Sequence, residues 1–271
     1  MKFRAAAVVV SLIVGVASAM ADDTAAAPKR LLLLGQKPDG HPAGTHEYLP
    51  GQRILAKLLA KTPGLETTIV NADEPWSEGP ELLKKADGVV IFVSEGAKWL
   101  NADPRRYDAF ASLAQRGGGF SALHWGTGTK KAANIEPYVR LLGACHGGPD
   151  RKYTFAEFDV TLCDPQHPIS TGLANFHVRE EFYYRLKQVQ PLGSIHPLVQ
   201  VPIEGETQTV CWAWERPDGG RAFGYTGLHY HDNWQKPEYR RLIAQGVLWS
   251  MKLPVPAGGL NVDIPADELA P

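Results

Sequence analysis

The chain has 271 residues, with 28 Lys and Arg against 29 Asp and Glu and a net charge of −1. Its basic residues are spread along the chain, so there is no basic stripe to hold phosphates, and a nucleic-acid partner is not expected. Three cysteines are an odd number for a disulfide framework. Cys145 and Cys163 could pair, leaving Cys211 in a strand, or all three could be small buried thiols.

The first residues read as a secretory signal. Lys2 and Arg4 precede an apolar run over residues 5–16, followed by the small-residue site Ala19-Met20-Ala21. The run is shorter than the roughly 20 residues of a membrane span, so cleavage near Ala21 and an exported, periplasmic or secreted protein are expected, without stable membrane insertion. Residues 22–29 form a polar leader, residues 30–253 a single domain, and residues 254–271 a Pro/Gly-rich tail expected to be loose.

Strand and helix patterns alternate through the first half. Residues 31–34 are a continuous apolar run, as in a strand covered on both faces. Ile54, Leu55, Leu58 and Leu59 then recur at helical spacing. The β-branched residues 67–70, a short helix over 80–86 and the apolar run 88–94 come next. Asp103-Pro104 opens a helix with an N-cap, and the glycines at 117–119 end it. Residues 120–123 form a fourth strand ending at His124. The pattern predicts an α/β fold with a doubly wound, mostly parallel open sheet, whose ligands sit beyond the carboxyl ends of the strands. The second half is richer in β-hairpins: residues 209–215 and 221–226 flank Pro217-Asp218-Gly219-Gly220. A helix over residues 237–251 closes the domain.

Titratable side chains fall where strands end: His46, His124, the Glu180-Glu181 pair, and His229 with His231. His124 occupies a strand-to-turn position like a nucleophile elbow, but it carries imidazole, which suits a general base or a metal ligand better than acyl transfer. Three histidines and a carboxylate could make a tetrahedral site for a divalent ion, zinc being favoured, although no H-E-x-x-H or CxxC spacing is present. Bland readings stand beside these. His124 could simply donate to a carbonyl, Glu180 could be solvated, and His231 could lie on the surface. His41, His146, His167, His177 and His196 read as loop residues.

Several segments together resemble the ThuA-like (trehalose utilisation) family of the class I glutamine amidotransferase-like superfamily, with its flavodoxin-like fold. They are residues 31–35 followed by His46, Asp87-Gly88-Val89-Val90, the glycine-led strand ending at His124, residues 167–173, Glu180-Glu181-Phe182-Tyr183, residues 220–229 and the closing helix. The resemblance covers residues 30–253 and puts His124 where amidotransferases carry a catalytic cysteine, so glutaminase activity is not expected. It implies that His46, Glu181 and His229 line the pocket, and that the substrate is a glycoside or keto-sugar. The loop Gly35-Gln36-Lys37-Pro38-Asp39-Gly40-His41 and the extra His231 depart from the family pattern.

Two readings follow. In one, His46, His124 and His229 hold a divalent metal, Glu181 and His124 act catalytically, and Trp125, Tyr183 and His231 bind sugar, with Trp234 as a further aromatic face. In the other, the pocket only binds sugar, as an accessory module. No nucleotide cofactor is expected in either.

Overall fold

The computed structural model describes residues 27–271. The signal peptide read over residues 1–21 lies outside the described residues. No helix among the described residues is long and apolar enough to cross a membrane.

The first half runs β1 (Lys29–Gly35), α1 (Tyr48–Leu59), β2 (Leu65–Asn71), α2 (Gly79–Lys85), β3 (Gly88–Phe92), α3 (Gly96–Asn101), α4 (Pro104–Gln115) and β4 (Gly119–Leu123). The Asp103 side chain accepts the Arg105 N–H and caps α4 as expected. In β1, Leu31 and Leu33 join one apolar cluster and Leu32 and Leu34 the other. The period-two alternation of a strand therefore serves two cores, one on each face of the sheet.

The chain continues through β5 (Gly128–Thr129), α5 (Ile135–Leu142), β6 (Ala144–Gly147), β7 (Lys152–Leu162), β8 (Phe176–Tyr184), β9 (Lys187–Gln188), β10 (His196–Ile203), β11 (Glu206–Glu215), β12 (Arg221–Tyr225) and α6 (Pro237–Ser250). The main sheet has nine strands in the order β2-β1-β3-β4-β12-β11-β10-β7-β8, and β5, β6 and β9 form a small separate one.

The expectation of a mostly parallel sheet needs correction. Pairings from β2 through β12 are parallel, but those from β12 through β8 are all antiparallel, so the sheet is mixed. A parallel pair needs a crossover, usually a helix. Between β7 and β12 no α-helix intervenes, so successive strands there can only fold back on one another. The predicted hairpin is present, with Glu215 opposite Arg221.

One further expectation fails, and one of the two alternatives left open for the cysteines is closed. The segment after Pro254 is not loose: Val262 and Leu269 are buried, the Val262 carbonyl accepts from Arg240 Nε at 2.8 Å, and the Leu260 N–H donates to Gln245 Oε1 at 2.8 Å. Cys145 and Cys163 do not pair; all three cysteines are free thiols.

Candidate functional site

The site forms where the parallel strands end. His124 follows β4 with a φ of 46° and His46 precedes α1 with a φ of 54°, both in the left-handed region that side chains with a Cβ rarely adopt. Each is held there by contacts. The His46 N–H donates to the His229 carbonyl at 3.1 Å, and Thr45 bridges Tyr230 in antiparallel fashion, tying the first loop to the one after β12. The His124 elbow is anchored through its ring, whose Nδ1 lies 2.9 Å from the Thr226 carbonyl.

The edge strand β8 supplies the rest, and for this the antiparallel half of the sheet must curl back over the strand ends. Successive side chains on β8 point to opposite faces. Glu181 and Tyr183 therefore share the side toward His124 and His229, while Glu180 and Phe182 turn into the protein. The Tyr183 hydroxyl lies 3.0 Å from His124 Nε2, and its ring stacks on His124 with centroids 4.6 Å apart.

Four donor atoms converge. His46 Nε2 lies 3.1 Å from His229 Nδ1 and 3.1 Å from His124 Nε2. Glu181 Oε2 lies 2.8 Å from His229 Nδ1 and 3.4 Å from His124 Nε2. The tautomers follow from the outer partners. A carbonyl only accepts, so His124 Nδ1 carries its proton toward Thr226 and Nε2 is bare. The Tyr48 hydroxyl donates to Asp39 Oδ2 at 2.7 Å and so accepts from His46 Nδ1 at 2.8 Å, leaving the Nε2 of His46 bare as well. Burial lowers the pKa of both rings, that of His124 well below the usual imidazole range, which keeps them neutral.

Two unprotonated imidazole nitrogens thus lie 3.1 Å apart beside a carboxylate oxygen, and the Tyr183 hydroxyl donates to the His124 one. A cation placed among them would meet electron-rich atoms on several sides. Ligand atoms on a tetrahedral ion with bonds of about 2.0–2.2 Å stand roughly 3.3–3.6 Å apart. Four of the separations here, 2.8–3.4 Å, are near that spacing, and all four atoms lie within 4.8 Å of one another, close enough for one ion to reach them. The outer bonds to Thr226 and Asp39 are the kind that orient metal-ligating histidines.

Asp39 was not singled out in the sequence, nor were Tyr48, His41 and His146. Burial acts to raise the Asp39 pKa, but hydrogen bonds from His46, Tyr48 and His41 outweigh it and hold the carboxyl well below its usual range. The signal was the unusual loop of residues 35–41, which delivers Asp39 to His46 and stacks His41 on the His46 ring at 3.6 Å. His146 lies on β6 beside the cavity, stacked on Tyr183 at 4.2 Å.

A cavity of about 290 Å³ opens from this cluster, lined by Trp125, His146, Glu181, Tyr183 and His229 among others, with Tyr153 and Phe155 from β7 on its rim. Of the residues expected to contact ligand, Trp125 and Tyr183 are among those lining the cavity. His231 is not: it is buried with Nε2 2.8 Å from the Leu269 carbonyl, holding the C-terminal segment. Trp234 is likewise in the core, packed away from the cavity.

Glu180, read as solvated, is fully buried. One oxygen accepts from the Glu181 and His229 N–H groups at 2.8 and 3.1 Å. The other accepts from the Leu228 N–H at 2.8 Å, Asn233 Nδ2 at 3.0 Å and the Tyr239 hydroxyl at 2.9 Å. Burial raises its pKa while these bonds oppose the shift. Glu180 thus fixes the loop that carries His229, and its neighbour Glu181 faces the cavity.

No curated protein matches the chain in sequence. Among solved structures, a ThuA-like protein from Bacteroides uniformis superposes with a TM-score of 0.65 at 15% identity, over 83% of this chain and 93% of its own. Another, from Parabacteroides merdae, gives 0.61 at 16% identity, over 89% and 94%. A cytoplasmic protein from Salmonella typhimurium gives 0.54 at 12% identity, over 82% and 98%. These likenesses concern the fold. The ThuA family model, described as trehalose utilisation, matches residues 32–250, and the chain belongs to that family.

Proposed function

We propose that this protein is an exported enzyme acting on a carbohydrate, a glycoside or keto-sugar, at a divalent metal centre formed by His46, His124, His229 and Glu181. The observation that carries the reading is the convergence of three imidazole nitrogens and one carboxylate oxygen at 2.8–3.4 Å, with two of the nitrogens unprotonated. Family membership supports a carbohydrate-related role in general. The donor set of three nitrogens and one oxygen suits zinc.

A divalent ion held there would supply Lewis-acid polarisation of a sugar carbonyl or hydroxyl. The chain's own groups do the rest. Burial holds the Tyr183 phenol well above its ordinary pKa, so it remains a hydrogen-bond donor beside His124. Glu181 reaches the cavity with a carboxylate able to take a proton from a substrate carbon or oxygen. Trp125, Tyr153 and Phe155 offer faces to a sugar ring and exclude water from one side of it.

Elemental analysis of the untagged protein beside a His46→Ala/His124→Ala variant tests this. One divalent ion per chain, lost in the variant while the circular dichroism spectrum persists, is the expected result. Metal absent from both proteins would remove the Lewis-acid mechanism.

A further inference from the structure

The cavity wall also carries groups chemically unlike the donor cluster. Lys130, Arg151 and His146 line it along with Trp125 and Tyr183. Among the described residues, neither Lys130 nor Arg151 makes a side-chain ion pair; the Arg151 guanidinium has only a long hydrogen bond to the Gly148 carbonyl, at 3.4 Å. The nearby acids are engaged elsewhere. Glu95 accepts the Lys130 backbone N–H and the Thr129 hydroxyl and pairs with Lys98, while Asp150 pairs with Lys187 at 2.6 Å.

His146 adds an independent observation. It is 1% exposed, and neither ring nitrogen has a hydrogen-bond partner among the described residues. A buried polar group without a partner is costly, and a ring nitrogen left so beside a cavity calls for a partner that the chain itself does not supply. His146 stacks flat on Tyr183, which in turn stacks on His124, so three rings in one column join the cavity wall to the donor cluster.

We infer that the substrate is an anionic monosaccharide, one bearing a carboxylate or phosphate group, which Arg151 and Lys130 hold while His146 donates to it or to an adjacent hydroxyl. The inference rests on the carbohydrate reading above but not on the metal. A guanidinium fork matches either oxyanion with paired N–H donors, and a lysine adds a point charge. A single sugar ring with its charged substituent suits about 290 Å³, leaving the reacting carbon toward Glu181 and Tyr183.

Isothermal titration calorimetry of the full chain with glucose, glucuronate and glucose 6-phosphate tests it. At least one of the two anions is expected to bind at least 10-fold tighter than glucose, and which one does so assigns the charged group. Lys130→Met/Arg151→Met should abolish that preference, bringing the anion Kd to within 3-fold of the glucose Kd measured on the same variant. The preference should persist in chelator-treated wild-type protein, because the cations and not a metal set it. Its loss on chelation, or equal binding of glucose and both anions by the untreated wild type, would overturn the inference. Binding of none of the three sugars would overturn the carbohydrate reading as well.

Discussion

Adjacent carboxylates on β8 should respond in opposite ways to the same substitution. Glu180 is an acceptor for five donors, three of them backbone N–H groups. In Glu180→Gln the amide can accept through one atom only, so its NH₂ must face donors on one side. Placed at either oxygen position, it strands two groups that cannot turn away: the Glu181 and His229 N–H groups, or the Leu228 N–H and the Asn233 amide. At about 1–3 kcal/mol for each stranded donor the gross loss is about 2–6 kcal/mol. Removing a buried charge offsets part of this, and a net loss of about 2–4 kcal/mol is expected. Glu181→Gln differs, since its oxygen faces imidazole rings rather than fixed N–H groups. Its amide oxygen can still accept from His229, so the metal-free stability should change by less than about 1 kcal/mol, while divalent-metal affinity falls at least about 10-fold. Urea unfolding of chelator-treated protein, followed by metal titration, measures both. Equal stability losses in the two variants, or an unchanged Glu180→Gln midpoint, would refute the division of roles.

Three other outcomes are expected. Asp39→Asn should weaken metal binding by about 10–100-fold without removing a ligand, because His46 loses the carboxylate that orients its ring; competition against a chromogenic chelator measures this. Burial pushes the His146 ring down to about 3, below the value near 6.5 of the unfolded chain. Stability from this group is therefore complete above pH 6.5 and is lost as pH falls toward 3, because the unfolded chain takes up the proton first. Between pH 7 and pH 4 that loss is roughly 3 kcal/mol, and in His146→Phe the acid-induced drop in unfolding free energy should shrink by about this amount. In Gly96→Ala the new Cβ would overlap the Gly126 carbonyl, in the turn that follows His124. The backbone must shift, so stability should fall by about 1–3 kcal/mol and the melting temperature of the metal-loaded protein should fall with it.

Much of the framework was legible because it is local. The apolar run of β1, the cap at Asp103 and the glycines before β4 are signals within a few residues, and they specify where strands end. A group placed just past a parallel strand must lie near that edge, which is why His46, His124 and His229 could be chosen from sequence. Membership of the chemistry was harder to read where it depends on distant pairing. Glu180 and Glu181 are indistinguishable neighbours until β8 is placed, and then one residue of alternation sends Glu180 into the protein and Glu181 into the cavity. His146 and His231 were likewise misjudged. Nothing near His146 in sequence reveals that β6 stacks it on Tyr183, and nothing near His231 reveals that the last residues fold back to offer it the Leu269 carbonyl. The sequence by itself determined the strand ends and the kinds of ligand available there. Only the tertiary structure decided which side chains share one cavity, because the antiparallel half curls back over the parallel half through long-range hydrogen bonds that no local pattern encodes.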